Sequence, residues 1–301
     1  MNEYRFIITE DSEGERVDRI AAMLMPDCSR TYIQKLISSG ELFINGKIPK
    51  ASTKVSSGDE LFLSVPEPVI PEIKPENIPI DIVFENSDLI IVNKGKNMVV
   101  HPAPGHLSGT LVNAIMYHCH DLSGINGMLR PGIVHRIDKD TTGLLVICKN
   151  DDSHRKLAEQ FKDHSIERTY EAIVHGRFSE TEGVIDAPIG RSSQDRKKMT
   201  IVQGGKRAVT HYSVITQYDD LAHIRLKLET GRTHQIRVHM AYKGHPVLGD
   251  EVYGVHEKSF KNTCGQALHA KTLGFEDPSG SGWMQFDSEL PDYFKDILSK
   301  L

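Results

Sequence analysis

The chain has 301 residues, 39% hydrophobic and 26% charged, the composition of a globular protein of about two domains. That excludes a collagen, a wholly disordered chain and a small disulfide-stapled scaffold. The net charge is −5, which as a whole-chain figure speaks mildly against a nucleic-acid partner.

In chain order, Val17, Ile20, Ala21 and Leu24 share one helical face. Ser29 is placed to cap a second helix, whose apolar face is Ile33, Leu36 and Ile37 and which Gly40 ends. Leu42 and Ile44 alternate into Asn45-Gly46, the signal of a type I′ hairpin turn, and Leu61, Leu63 and Val65 read as a last strand. Five of the 14 prolines then fall within residues 66–79, a stiff, extended stretch that reads as a linker. The predicted organisation is a small module at 1–65, a Pro-rich linker at 66–79 and a large domain at 80–301. In the large domain, strands are expected over Asp81–Phe84, Leu89–Asn93, Gly143–Lys149, Arg168–His175, Ala208–Tyr218 and His223–Glu229. Helices are expected over Thr110–His118, Asp152–His164, Thr233–Lys243 and Tyr293–Lys300. Adjacent strands without regular βα alternation indicate an α+β fold with a mixed, largely antiparallel sheet and flanking helices.

The apolar runs fall far short of the roughly 20 residues of a membrane span, and the first residues lack the pattern of a secretion signal. Cys28, Cys119, Cys148 and Cys264 form no C-x-x-C pair, which points to reduced thiols and a cytoplasmic protein. No nucleotide-binding glycine loop or G-x-S-x-G elbow occurs. His118, Cys119 and His120, like His101 and His106, lack zinc-site spacing, so no metal is expected. Two segments run against the acidic average. Between Gly14 and Lys54 seven Lys/Arg stand against four acids, and between Asp186 and His211 six stand against two. Within the second, residues Arg191–Arg207 read as a hairpin with a long basic loop.

Three segments carry residue types that do chemistry. His135, Arg136, Asp138, Lys139 and Asp140 run into an apolar strand through Thr141, Thr142 and Gly143. A carboxylate at the mouth of a strand is held rigidly enough for catalysis, though composition does not choose between Asp138 and Asp140. Arg232 stands just before a helix that Thr233 is placed to cap, where it can clamp an anion; that helix carries His234, Gln235, Arg237 and His239. Tyr170 alternates on a strand with Ala172 and Val174, a pattern that on its own reads as core.

Together these segments resemble the RluA/RluD family of pseudouridine synthases. Residues 130–143, RPGIVHRIDKDTTG, are similar to its signature R-P-G-I-V-H-R-L-D-K-D-T-S-G. Asn93-Lys94 with Met98–Pro102 resembles its first motif, with Gly95 and Asn97 in place of proline and glycine. Gly231–His239, Gly244–Asp250 and Gln266–Ala270 resemble later elements. Residues 14–19, 29–30, 40–46 and 58–59 resemble the αL RNA-binding module first described in a ribosomal small-subunit protein.

The resemblance implies a pseudouridine synthase fold with a central RNA-binding cleft, preceded by a small α/β αL module. It implies isomerisation of uridine to pseudouridine without a cofactor. It makes Asp138 the catalytic aspartate and leaves Asp140 structural. It gives Arg232 as the arginine that pairs with Asp138, Tyr170 as the ring that packs on the target base, Leu228 as a pocket wall beside it, and Arg136 as the side chain that enters the RNA where the base has left. Arg16, Arg19, Arg30, Lys35 and Lys47 are expected on phosphates, and so are Arg196, Lys197 and Lys198 of the basic loop. Residues Val99–His106 and the N-terminal module look most like the RluD branch, which implies large-subunit ribosomal RNA as substrate, a pre-ribosomal large subunit as partner and no membrane association. A monomer is the expected state. Other readings are a related member acting on another ribosomal or transfer RNA site, and a non-catalytic ribosome-assembly factor on the same fold.

Overall fold

The apolar spacing of the N-terminal module is realised as two short helices on a three-stranded sheet. The computed structural model describes residues 2–66, 73–102, 106–125, 131–196, 198–255, 263 and 265–301. The chain forms two units, Met1–Ile70 and Pro71–Leu301.

The first unit contains β1 (Asn2–Ile7), a 3-10 turn (Glu10–Ser12), α1 (Val17–Leu24), α2 (Arg30–Ser38), β2 (Leu42–Ile44) and β3 (Glu60–Val65). β3 is the central strand of an antiparallel sheet ordered β1-β3-β2. Val17, Ile20 and Ala21 of α1 and Ile33, Leu36 and Ile37 of α2 are buried with Leu42, Leu61 and Leu63. Ser29 caps α2 by accepting the Tyr32 N–H at 3.2 Å. Asn45 and Gly46 have φ of 49° and 76°, the pair of positive values a type I′ turn needs. β1 has no fully buried residue; only the half-buried Tyr4 and Phe6 alternate toward the core.

The second unit contains β4 (Asp81–Glu85), β5 (Leu89–Lys94), α3 (Leu111–His118), β6 (Thr142–Cys148), α4 (Asp151–Lys162), β7 (Glu167–His175), β8 (Glu182–Asp186), β9 (Ile189–Arg191), β10 (Met199–Ile201), β11 (Val209–Gln217), β12 (Leu221–Leu228), α5 (Gln235–Tyr242), β13 (Leu268–Glu276), β14 (Trp283–Asp287) and α6 (Asp292–Leu298). Its main sheet runs β4-β5-β6-β13-β7-β12-β11-β8, with β14 paired to β13. Every ladder is antiparallel except β13 with β6. β9 and β10 form a separate antiparallel pair. At the parallel junction Gly143 has φ 112°, and a Cβ there would lie 2.2 Å from the Ala270 carbonyl oxygen. Only glycine lets the backbones approach so closely.

β5 and β6 are covered on both faces. Ile90, Val92, Leu145 and Ile147 join the core of α3 and α5, while Leu89, Ile91, Leu144 and Val146 pack with Leu157 of α4. A strand covered on both sides reads as a continuous apolar run, hence the unbroken Leu144–Cys148. Residues 73–79 of the Pro-rich stretch lie on this unit. Ile73 enters its core, the Glu76 N–H donates to the Asn113 carbonyl at 2.9 Å, and the Glu76 carboxylate accepts the Gly109 N–H at 3.1 Å. Residues 67–72 fall outside the described residues. Among the described residues no helix is long and apolar enough to cross a membrane.

Candidate active site

The charged run ahead of β6 is a loop fixed at several points. His135 is turned inward: its Nε2 accepts the Val146 N–H at 3.0 Å and its ring stacks on Phe161 at 4.6 Å. Burial, with the charge of Arg168, pushes it down to about 3, so it is a neutral structural group. Ile137 is buried in the core, which leaves Arg136 exposed and Asp138 half-buried on either side of it. Beyond Asp138, Lys94 at the end of β5 donates to the carbonyls of Lys139 (2.9 Å) and Gly95 (2.7 Å). Burial pushes Lys94 down to about 7 against the opposing charges of Asp140 and Asp138. Gly265, at φ 97°, lies where a Cβ would come within 2.5 Å of the Asp140 Cβ. Asp140 is thus packed against the Gly265 backbone.

α5 approaches this loop. His234, its N-cap, is left-handed at φ 56°; the helix begins one residue later than a Thr233 cap would set it. Gln235 and His239, four apart, fasten one side of α5. Gln235 Nε2 donates to the Val209 carbonyl and Thr210 Oγ1, and the His239 ring contacts Thr210 Oγ1 and the Ala187 carbonyl. His234 and Arg237, three apart, face Asp138. Arg237 Nη1 donates to Asp138 Oδ2 at 2.8 Å, while Nε and Nη2 grip Asp250 Oδ2 and Oδ1 at 2.6 and 2.8 Å. Asp250 also accepts the N–H groups of Val252 and Tyr253. Burial pulls the Arg237 guanidinium down, and the bonds and charges of Asp250 and Asp138 more than reverse it. Burial pushes Asp250 up, and Arg237 more than offsets that, holding it ionised. The result is one buried arginine locked between two carboxylates.

This geometry corrects the expected pairing of Arg232 with Asp138. Arg232 lies on the loop before α5, where its Nε donates to the Arg207 carbonyl at 2.9 Å and its N–H to Gln235 Oε1 at 3.0 Å. The partner of Asp138 is Arg237, which the helix carries inward. Arg232 still lines the same cavity, of about 60 Å³, with Arg136, Asp138, Tyr170, Leu228 and His234. A second cavity of about 260 Å³ shares Arg136, Asp138, His234 and Arg237 with it. Tyr170 and Leu228 are each 8% exposed. Burial, with the charge of Asp138, raises Tyr170 above the usual phenol, so its ring is a neutral surface. Arg136 Nη1 lies 3.2 Å from His101 Nε2. Arg237 and Asp250 stand inside motifs legible in the sequence; what pattern alone lacked was which arginine points at the carboxylate. A wider hollow of about 860 Å³ lies over β7, β11 and β12, and none of the Asp138 group lines it. Its charges pair locally, as Lys227 does with Glu167 at 3.2 Å.

In the first unit the basic residues are organised by an acid. Asp18, with no exposed side-chain surface, accepts from Arg16 (3.0 Å), Arg30 (3.0 Å) and Gln34 (2.6 Å). Burial pushes its carboxyl up, and these bonds hold it well below the usual range. The two guanidiniums remain half-exposed. Arg19 pairs with Glu15 at 3.0 Å, and Lys35 and Lys47 are exposed. In the second unit β9 and β10 flank the basic loop, with Arg196 and Lys198 exposed; Lys197 lies outside the described residues.

Residues 88–242 match the family model described as RNA pseudouridylate synthase, and residues 15–61 match the S4 domain. An RNA pseudouridine synthase of Bacillus subtilis (strain 168) is 46% identical over 100% of this chain and 99% of its own. The ribosomal large subunit pseudouridine synthase D of Zymomonas mobilis is 48% identical over 94% of this chain and 93% of its own. Among solved structures, human RNA pseudouridylate synthase domain containing 1 superposes with a TM-score of 0.58 at 26% identity, covering 70% of this chain and 83% of that one.

Proposed function

The chain belongs to the RNA pseudouridylate synthase family, and from that premise we propose that Asp138 drives the isomerisation of uridine to pseudouridine in large-subunit ribosomal RNA. The observation that carries this reading is the carboxylate at the cavity mouth, fixed through one oxygen by a buried arginine that is itself locked by Asp250. An arginine so placed fixes the direction in which the carboxylate faces the cavity.

The reaction breaks the bond from ribose C1′ to uracil N1 and joins C1′ to C5. The proton leaves C5 and N1 gains one, so the change balances within the substrate. Asp138 acts on the ribose, as nucleophile at C1′ or as base at the neighbouring carbon. The uridine must first leave its stack, at a cost of a few kcal/mol. Tyr170 and Leu228 then offer an apolar surface for the base, and Arg136, exposed at the rim, fills the vacancy. Arg232 sits on the same rim as a further contact. The N-terminal module and the basic hairpin hold phosphates, which position RNA without reading its sequence. The ribosomal substrate is supported by the names of relatives such as the Zymomonas mobilis enzyme. We place the protein in the cytoplasm, as a monomer, on the pre-ribosomal large subunit.

The test is a map of pseudouridines, by carbodiimide modification and reverse-transcription stops, in total RNA from cells with and without the gene. Stops in large-subunit RNA that vanish on deletion and return with the gene support the reading. Stops lost only from transfer RNA would reassign the substrate. An unchanged map, with assembly of the large subunit impaired, would favour a non-catalytic role.

A further inference from the structure

His234 is the conformationally costly residue of the site. Its left-handed backbone, φ 56° and ψ 21°, costs a residue with a Cβ about 1–2 kcal/mol, and such outliers persist where surrounding contacts over-determine them. Two contacts do so here. On one side, Nδ1 lies 2.8 Å from the Tyr253 hydroxyl, and the two rings meet edge to face at 5.6 Å. On the other, Nε2 stands 3.8 Å from Asp138 Oδ1, the oxygen Arg237 does not take.

The hydroxyl is itself anchored. Tyr253 accepts the Met199 N–H at 2.9 Å, and Met199 opens β10, next to Lys198 in the basic hairpin. A hydroxyl that accepts from Met199 has its own proton to give to His234 Nδ1. The ring proton then sits on Nε2 and points at the carboxylate. The opposite tautomer would set a nitrogen lone pair against an anion. Burial pushes His234 below its ordinary value, which favours the neutral imidazole, with Nε2 3.8 Å from the carboxylate and so a short movement from donating to it.

We propose that His234 is a positioning residue for Asp138, and that Tyr253 ties it to the β9–β10 hairpin, so that a hairpin seated on RNA fixes the second oxygen of the carboxylate. This rests on the reading of Asp138 as the reacting group and of the hairpin as an RNA contact. It gives the strained backbone a purpose and makes turnover depend on how the RNA is held.

Two measurements on the full-length protein test it. The first needs no substrate: ¹⁵N NMR of the histidine rings, with the His234 signal identified by its loss in His234→Asn, a replacement that tolerates the left-handed backbone. The expected signal is the Nε2–H tautomer, moving to a mixture in Tyr253→Phe. The second is tritium release from C5-labelled uridine in an in vitro transcript of large-subunit ribosomal RNA. Tyr253→Phe and His234→Asn should lower kcat roughly ten- to a hundredfold, as small misplacements at a reacting centre do, with KM within about twofold of wild type. A His234 signal unmoved by Tyr253→Phe, or a variant that raises KM alone, overturns the proposal. Wild-type protein inactive on this transcript would count against the ribosomal target, and the ring signal alone would then decide the proposal.

Discussion

Each unit of the molecule is built around a buried cluster of arginine and aspartate, and the two clusters are inverted. In the first unit one buried acid, Asp18, holds two half-exposed arginines, Arg16 and Arg30. In the second, one buried arginine, Arg237, is held between two acids, Asp138 and Asp250. The first has a surplus positive charge turned to solvent, and in the proposed function it binds phosphate. The second has a surplus negative charge turned into a cavity, and in the proposed function it acts on the ribose. On that proposal the same pair of side chains serves binding or chemistry according to which partner is outnumbered.

The sharpest way to break the comparison is Arg237→Met. It strands Asp250 as an unpaired buried charge, which should cost about 3–5 kcal/mol in denaturant-induced unfolding. Turnover on labelled RNA should fall at least about a hundredfold. Stability and turnover near wild type would mean that the cluster is not an ionic unit. Next in size is Lys94, whose burial lowers its affinity for a proton to about 7 from 10.5. Between those values the unfolded chain binds a proton the folded chain lacks, so stability rises with pH across that window. From pH 7 to 9 wild type should gain about 2 kcal/mol relative to Lys94→Met. Equal slopes would show Lys94 charged in its site throughout.

The mirror-image variant in the first unit is Asp18→Asn, which lets the two guanidiniums drift. RNA affinity by filter binding should weaken roughly tenfold, about 1.4 kcal/mol, with kcat at saturating RNA unchanged. A fall in kcat instead would erase the division of labour between the clusters. The smallest effect is expected from Arg196→Ala with Lys198→Ala. Together they should flatten the slope of log affinity against log salt by about 1.4, near 0.7 per lost single-strand phosphate contact. An unchanged slope would make the hairpin loop a solvated surface.

How much of this was legible varied with the physics. The helices and most strands of the main sheet showed because their burial is periodic or complete, as in Ile33, Leu36 and Ile37 or the run from Leu144 to Cys148; β13, though central, did not, because His269, Lys271 and Gly274 interrupt its apolar residues. β1 and β14 stayed hidden because they are edge strands with half-exposed faces; β9 and β10 were legible only as a hairpin around the basic loop, because three residues set no period. The resemblance to a family motif, not the residues by themselves, separated Asp138 from Asp140. It did not separate Arg232 from Arg237. A loop residue's direction depends on contacts such as the Arg207 carbonyl, whereas a helical residue's direction follows the phase of the helix, here set by the left-handed His234. Asp18 counted in the sequence as an acid diluting a basic segment; buried, it is the residue that arranges that segment's charge.

The central claim is that the carboxylate held by Arg237 does the chemistry. The most direct test is tritium release from C5-labelled uridine by Asp138→Asn, which keeps the side chain's size and one acceptor oxygen for Arg237 but removes its charge and basicity. The account predicts no release, with thermal midpoint and RNA affinity close to wild type. Substantial release by that variant would contradict it.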